Sequence, residues 1–141
     1  QPFFEKRNLE SSYFFSADFQ AMKEDFIQVN QNYDLVYFPT NGAIANWKDD
    51  EASQFVQDNI STMVFTCDDF MMPYAVFGLT KIAQEQGEWL ASTTNKLLSG
   101  ELTIAEVDMT RNHQSKLWLN NDLAKKISFQ PSIYLTTTTN Q

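Results

Sequence analysis

Between Ser12 and Cys67, short apolar runs alternate with amphipathic helical stripes, and that alternation limits the possible folds more than any other feature. SYFF at residues 12–15 predicts a strand. Ser16 or Asp18 can cap the helix that follows, whose apolar positions Phe19, Met22, Phe26 and Val29 fall close to one face. Residues 30–33 break it, and DLVYF (34–38) reads as a buried strand. Pro39-Thr40-Asn41-Gly42 then turns the chain. Asp49, Asp50 and Glu51 mark a helix start, because acids there face the positive end of the helix dipole. That helix is expected to run to about Asp58 with Ala52, Phe55 and Val56 inward, and TMVFTC (62–67) supplies the next strand. Strands separated by helices in this order imply parallel strands with crossover helices, so an α/β fold.

The second half is less regular. From Tyr74 to Leu98 the pattern predicts one long helix with Ala75, Leu79, Ile82, Ala83, Leu90, Thr94 and Leu97 on a stripe, ended by Gly100. Gly78 and Gly87 would each cost that helix roughly 1 kcal/mol, which suits places where another backbone packs closely. Residues 102–111 read as an irregular linker with a short strand at 107–110. Residues 116–119 are strand-like, and Asn120 or Asn121 can cap a brief helix, NDLAKKI. The Thr-rich tail, 128–141, is either β-prone or disordered. No repeat and no second boundary is visible, so 1–141 is read as a single unit.

Charge and rare residues exclude several classes. Ten basic against 18 acidic residues give a formal charge of −8, with no basic cluster, which disfavours nucleic acid and anionic membranes. No apolar run is long enough to span a bilayer. The chain opens on Gln1, which suggests a processed, trimmed or excised product and leaves the compartment open. The single cysteine, Cys67, excludes an internal disulfide and a multi-cysteine zinc site. The lone His113 has no Ser or Cys partner nearby, and neither a Walker loop nor GxGxxG is present. No catalytic residue, metal ligand or cofactor is therefore expected, and the chain is not read as an enzyme.

Four segments carry a resemblance: DLVYFPTNGAIANW (34–47), DDFMMPYAVFGLTKIAQEQGEW (68–89), LLSGE (97–101) and LWLNNDLAKKI (117–127). Together they resemble the C-terminal part of a type I periplasmic substrate-binding protein of an ABC transport system. Within that family the segments look like an uncharacterised group related to tryptophan- and tyrosine-binding members. The resemblance implies one three-layer α/β/α lobe with a mainly parallel sheet, half of a two-lobe protein that closes on a small molecule. It implies a periplasmic or extracellular location, with a lipoprotein anchor possible in the full-length protein, and a transporter permease as partner. It also implies that helix 74–98 packs on another lobe, with the hinge crossing at residues 71–74. Without that lobe, the exposed stripe is expected to pair copies into a homodimer through helix 74–98.

Ligands of open parallel sheets sit beyond the carboxyl ends of the strands, which directs attention to two loops. Thr40, Asn41 and Gly42 offer a hydroxyl, an amide and open backbone, though they read equally well as an ordinary turn. Asp68 and Asp69 can accept from a ligand ammonium or simply suit a helix start. Phe70 and Tyr74 are candidate apolar walls, and Trp47 can stack on a ligand or pin its loop to the helix at 51–58. Acids beside aromatics fit an amino acid or an aromatic amine. Two functions are consistent with this pattern: solute capture for a transporter, and an extracellular ligand-sensing domain of a membrane signalling receptor.

Overall fold

The computed structural model describes residue 4 and residues 6–130. The elements, in order, are α1 (Phe19–Asn32), β1 (Leu35–Tyr37), α2 (Asp49–Asn59), β2 (Met63–Thr66), a 3-10 turn (Asp69–Tyr74), β3 (Phe77–Lys81), α3 (Ala83–Ser99), a second 3-10 turn (Ile104–Glu106), β4 (Ser115–Leu119) and α4 (Asn121–Lys126). The sheet order is β1-β2-β3-β4, with β1, β2 and β3 parallel and β4 antiparallel to β3. This is the α/β fold, with a mainly parallel sheet, that the alternation requires.

Local chemistry accounts for the early elements. Asp18 caps α1 by accepting from the Ala21 N–H at 2.9 Å. Phe19, Met22, Phe26 and Val29 are buried, as their spacing predicts. Near the end of α1, Asn30 donates to the Phe26 carbonyl and accepts from the Ser61 and Thr62 N–H groups at 3.0 and 3.2 Å. One buried amide thus fixes the helix end against the entry to β2. α2 begins at Asp49 and buries Ala52 and Val56. Asn120 caps α4 by accepting from the Leu123 N–H and donates to the Met72 carbonyl. Gly100 ends α3 at φ 76°, the left-handed cap that glycine adopts without strain.

The layers are unequally filled. The core joins α1, α2, the first 3-10 turn and α4 through Phe26, Val56, Val64, Met71, Val76 and Leu123. Alternation along the strands puts Val36, Val64, Thr66, Gly78 and Thr80 on the packed face. The opposite face carries Leu35, Tyr37, Phe65, Phe77, Leu79 and Leu117, all exposed or half-buried.

Three expectations are corrected. Where a helix is predicted at 74–98, the chain forms the buried end of a 3-10 turn, a strand and then a shorter helix. Ala75, Leu79 and Ile82 match helical spacing, but residues 76–81 also alternate with period two, and pairing between β2 and β4 decides for the strand. The hinge crossing does not lie at 71–74, because Met71 and Tyr74 are core. The chain leaves the sheet after Lys81 and returns at Ser115. No strand forms at 12–15 or 107–110. The first segment pairs with nothing, the nearest bridge being Asp18 with Ala45 at the start of α1, and the second has no neighbouring strand among the described residues. The tail expectation lies, from residue 131 onward, outside the described residues.

Candidate functional site

Three parallel strands end side by side, and each end delivers polar chemistry to the same edge. β1 ends at Tyr37 and leads to Thr40-Asn41-Gly42; β2 leads to Cys67, Asp68 and Asp69; β3 ends at Lys81. The Lys81 ammonium lies 2.9 Å from Asp68 Oδ1, with both side chains partly open to solvent. That pairing holds Lys81 above its ordinary pKa, first through the hydrogen bond to Asp68 and then through its charge. Tyr37 stacks on Phe65 with ring centres 4.9 Å apart. Its phenol is also raised, by partial burial first and then by Cys67 beside it and by Asp68. Tyr37, Asp68 and Lys81 thus form a row across three adjacent strand ends.

The first loop is a compact turn. Thr40 Oγ1 accepts from the Gly42 N–H at 3.2 Å, so the hydroxyl already serves the turn, while Asn41 has no such bond to the loop through its side chain. In the second loop Thr66 Oγ1 accepts from the Asp68 N–H, steadying the Asp68 backbone. Asp69 is exposed, and Phe70 leaves 56% of its surface in solvent beside it. The structure therefore places Thr40, Asn41, Gly42, Asp68, Asp69 and Phe70 in the two loops that follow adjacent parallel strands.

Trp47 and Tyr74 belong elsewhere. Tyr74 is 2% exposed and packs edge-on against Trp47 at 5.1 Å, with Phe38 close to both rings. The Tyr74 hydroxyl and the Trp47 indole N–H both donate to Asp49 Oδ1, at 2.7 and 2.9 Å. These bonds hold Asp49 below the usual carboxylate range, Tyr74 contributing more than Trp47. Tyr74 is pushed up to about 12, by burial first and by Asp49 second. Trp47 thus pins its loop to the start of α2, and Tyr74 is a core residue rather than a ligand wall.

Tyr37 and Lys81 were missed. Tyr37 was legible: in a strand of period two it shares a face with Leu35, away from Val36. Lys81 was hidden because residues 77–81 read as helix. Among the described residues no three of His, Cys, Asp or Glu gather as a metal-binding group. At the point where the chain leaves the sheet, Glu85 accepts from the His113 and Gln114 N–H groups at 2.6 and 3.1 Å. One carboxylate thereby ties the start of α3 to the returning chain.

No family model matches the chain, and no curated protein matches it. Among solved structures it is similar to a conserved domain protein from Vibrio cholerae O1 biovar eltor str. N16961, at 13% identity and a TM-score of 0.66. The similarity covers 96% of this chain and 45% of that one, and at this identity it shows the fold alone.

Proposed function

We propose that this chain supplies one wall of a solute-binding cleft in the substrate-binding component of an ABC transporter, acting in the periplasm or outside the cell. The observation that carries the reading is the row of Tyr37, Asp68 and Lys81 across three parallel strand ends, the edge where such sheets bind ligands. A carboxylate and an ammonium in contact are matched to a ligand with both charges. A zwitterion can exchange the 2.9 Å pair for two pairs of its own, its ammonium on Asp68 and its carboxylate on Lys81, and keep the edge neutral. That favours an amino acid over a simple aromatic amine, which would leave Lys81 unpaired. The half-exposed Tyr37 and Phe70 rings give an aromatic side chain two apolar surfaces. Capture then proceeds by closure of a second lobe over the edge, a hinge motion about the chain crossings at Lys81 and Ser115. The permease receives the closed, loaded form.

A thermal-shift screen of amino acids, amines and sugars tests this. An amino acid at a hundred times its Kd is expected to stabilise the protein by about 2.7 kcal/mol. Asp68→Asn removes the response, and Lys81→Met reduces the response to amino acids while sparing that to amines. Stabilisation by sugars or inorganic anions alone would rule out the zwitterion reading.

A further inference from the structure

We propose that Asn41 is a site of spontaneous covalent modification, at which the Gly42 backbone nitrogen closes on the Asn41 side chain and the amide becomes aspartate or isoaspartate. The inference does not rest on the solute-binding reading. It begins in the sequence, where Asn41-Gly42 is the one place that glycine follows asparagine. Ring closure brings the side-chain Cγ of an asparagine onto the backbone nitrogen of the next residue. A side chain on that next residue hinders the approach, and glycine has none.

A fold can block this closure by bonding the amide, by locking the backbone in a helix or strand, or by crowding the nitrogen. Other asparagines of this chain are blocked. Asn30 is buried and bonded to Phe26, Ser61 and Thr62. Asn59 donates to the Phe55 carbonyl, and Asn120 caps α4 while donating to the Met72 carbonyl. Asn95 lies inside α3. Asn41 meets none of these restraints. It lies in the loop after β1, outside every helix and strand, and its side-chain amide has no hydrogen bond among the described residues. Gly42 is exposed, and a Cβ built on it would meet only the Thr40 hydroxyl, at 3.5 Å, beyond its chain neighbours. The one bond on the reacting nitrogen is its N–H to Thr40 Oγ1, at 3.2 Å, the long end of the normal range. A hydroxyl also donates, so the Thr40 group can turn its proton toward the nitrogen as that nitrogen ionises.

The chemistry is redox-neutral and needs only water. Hydroxide takes the Gly42 N–H proton, the nitrogen attacks Asn41 Cγ, the Cγ–Nδ2 bond breaks, and ammonia leaves with a proton from water. The product is a five-membered succinimide joining the two residues. Water then opens it at either carbonyl. Attack at Cγ breaks the new bond and leaves aspartate. Attack at the main-chain carbonyl breaks the original peptide bond and leaves isoaspartate, with the chain running through Cβ and Cγ. Both products put a carboxylate where an amide stood, in one of the two loops that follow β1 and β2. Only the isoaspartate route also converts the Asn41 carbonyl, which accepts from the Ile44 N–H at 3.0 Å, into a free carboxylate and lengthens the turn by one atom.

Peptide mapping by mass spectrometry tests the proposal on the full-length protein, held folded in mildly alkaline buffer, with isoaspartyl methyltransferase labelling to identify isoaspartate. The peptide that contains Asn41 is expected to gain the mass difference between an amide and an acid before any other peptide of the chain does, and to accept the label. Gly42→Ala, which the open space around Gly42 accommodates, should lose most of this conversion with the circular dichroism unchanged. Asn41→Gln should lose it as well, because its longer side chain would have to close a larger ring. Three results would each overturn the proposal: another asparagine converting first, conversion of Asn41 only after unfolding in urea, or a Gly42→Ala chain that converts as fast as wild type.

Discussion

α1 and α3 are about equally amphipathic, yet α1 buries Phe19, Met22, Phe26, Val29 and Asn30 while α3 buries nothing. The difference lies in where each helix is attached. α1 runs into β1, and Asn30 bonds it to the entry of β2, so its apolar face is held against the sheet. α3 leaves the carboxyl edge through one residue and, among the described residues, is tied to the returning chain rather than to the sheet. Amphipathicity says that a helix has a face to bury; the connections decide whether its own chain can bury it. The largest test of that contrast compares truncations to alanine. Phe26→Ala is expected to cost about 3–5 kcal/mol in denaturant unfolding, from lost transfer energy and a cavity. Leu98→Ala, measured at a dilution that leaves the chain monomeric, should stay within about 0.5 kcal/mol. A comparable loss in both would mean that α3 is packed after all.

The two tyrosines extend the contrast to pH. Tyr74 lies in the packed region with its pKa raised from 10 to about 12, and Tyr37 lies on the open face with a raised pKa. A group raised on folding adds stability below its unfolded value and loses it as pH climbs through the folded one. The Tyr74 contribution is therefore complete below pH 10 and lost as pH rises to about 12. Asp49 works in the opposite direction: its lowered value adds stability above the usual carboxylate range, and this is lost in acid. Tyr74→Phe should flatten the alkaline slope and weaken the acid one together, since Tyr74 is the leading cause of the Asp49 shift. Tyr37→Phe should leave the acid slope unchanged. Stability curves between pH 2 and 12 check both, and an alkaline slope that survives Tyr74→Phe would show that the bond to Asp49 is not what couples folding to pH.

How much was readable follows the same division. The elements of the packed face were legible because their signals are local: Asp18 as cap, the 19–29 stripe, three acids at the start of α2, and the runs that became β1 and β2. The edge loops were legible as well, once parallel strands were inferred, because chain direction alone fixes which ends face a ligand. β3 was not. In VFGLTK the apolar positions satisfy both periods, and what chooses the strand is hydrogen bonding to β2 and β4, partners 11 or more residues away in sequence. Lys81 went with it, since a residue at a strand's carboxyl end is invisible until the strand is seen. Trp47 and Tyr74 were misassigned or left open because aromatic residues near a loop look the same whether they face a ligand or share one carboxylate at a helix start.

The two glycines once assigned to a single helix now provide the finest test, because their expected effects have opposite signs. Gly78 lies in β3, where an added Cβ would collide with the Met72 sulfur and lie 3.4 Å from the Trp118 Cβ. The Trp118 contact is an ordinary one, so the cost of Gly78→Ala is that of pushing the Met72 side chain out of its packed rotamer, a destabilisation of about 0.5–1.5 kcal/mol. Adding Met72→Ala should recover part of that loss. Gly87 lies inside α3 with open space around it, so Gly87→Ala should stabilise the helix by about 0.5–1 kcal/mol through the unfolded chain. Measured in the monomer, opposite signs separate a strand glycine under a neighbour from a helix glycine in the open. If alanine is instead tolerated equally at both, the division of residues 74–98 into strand and helix fails.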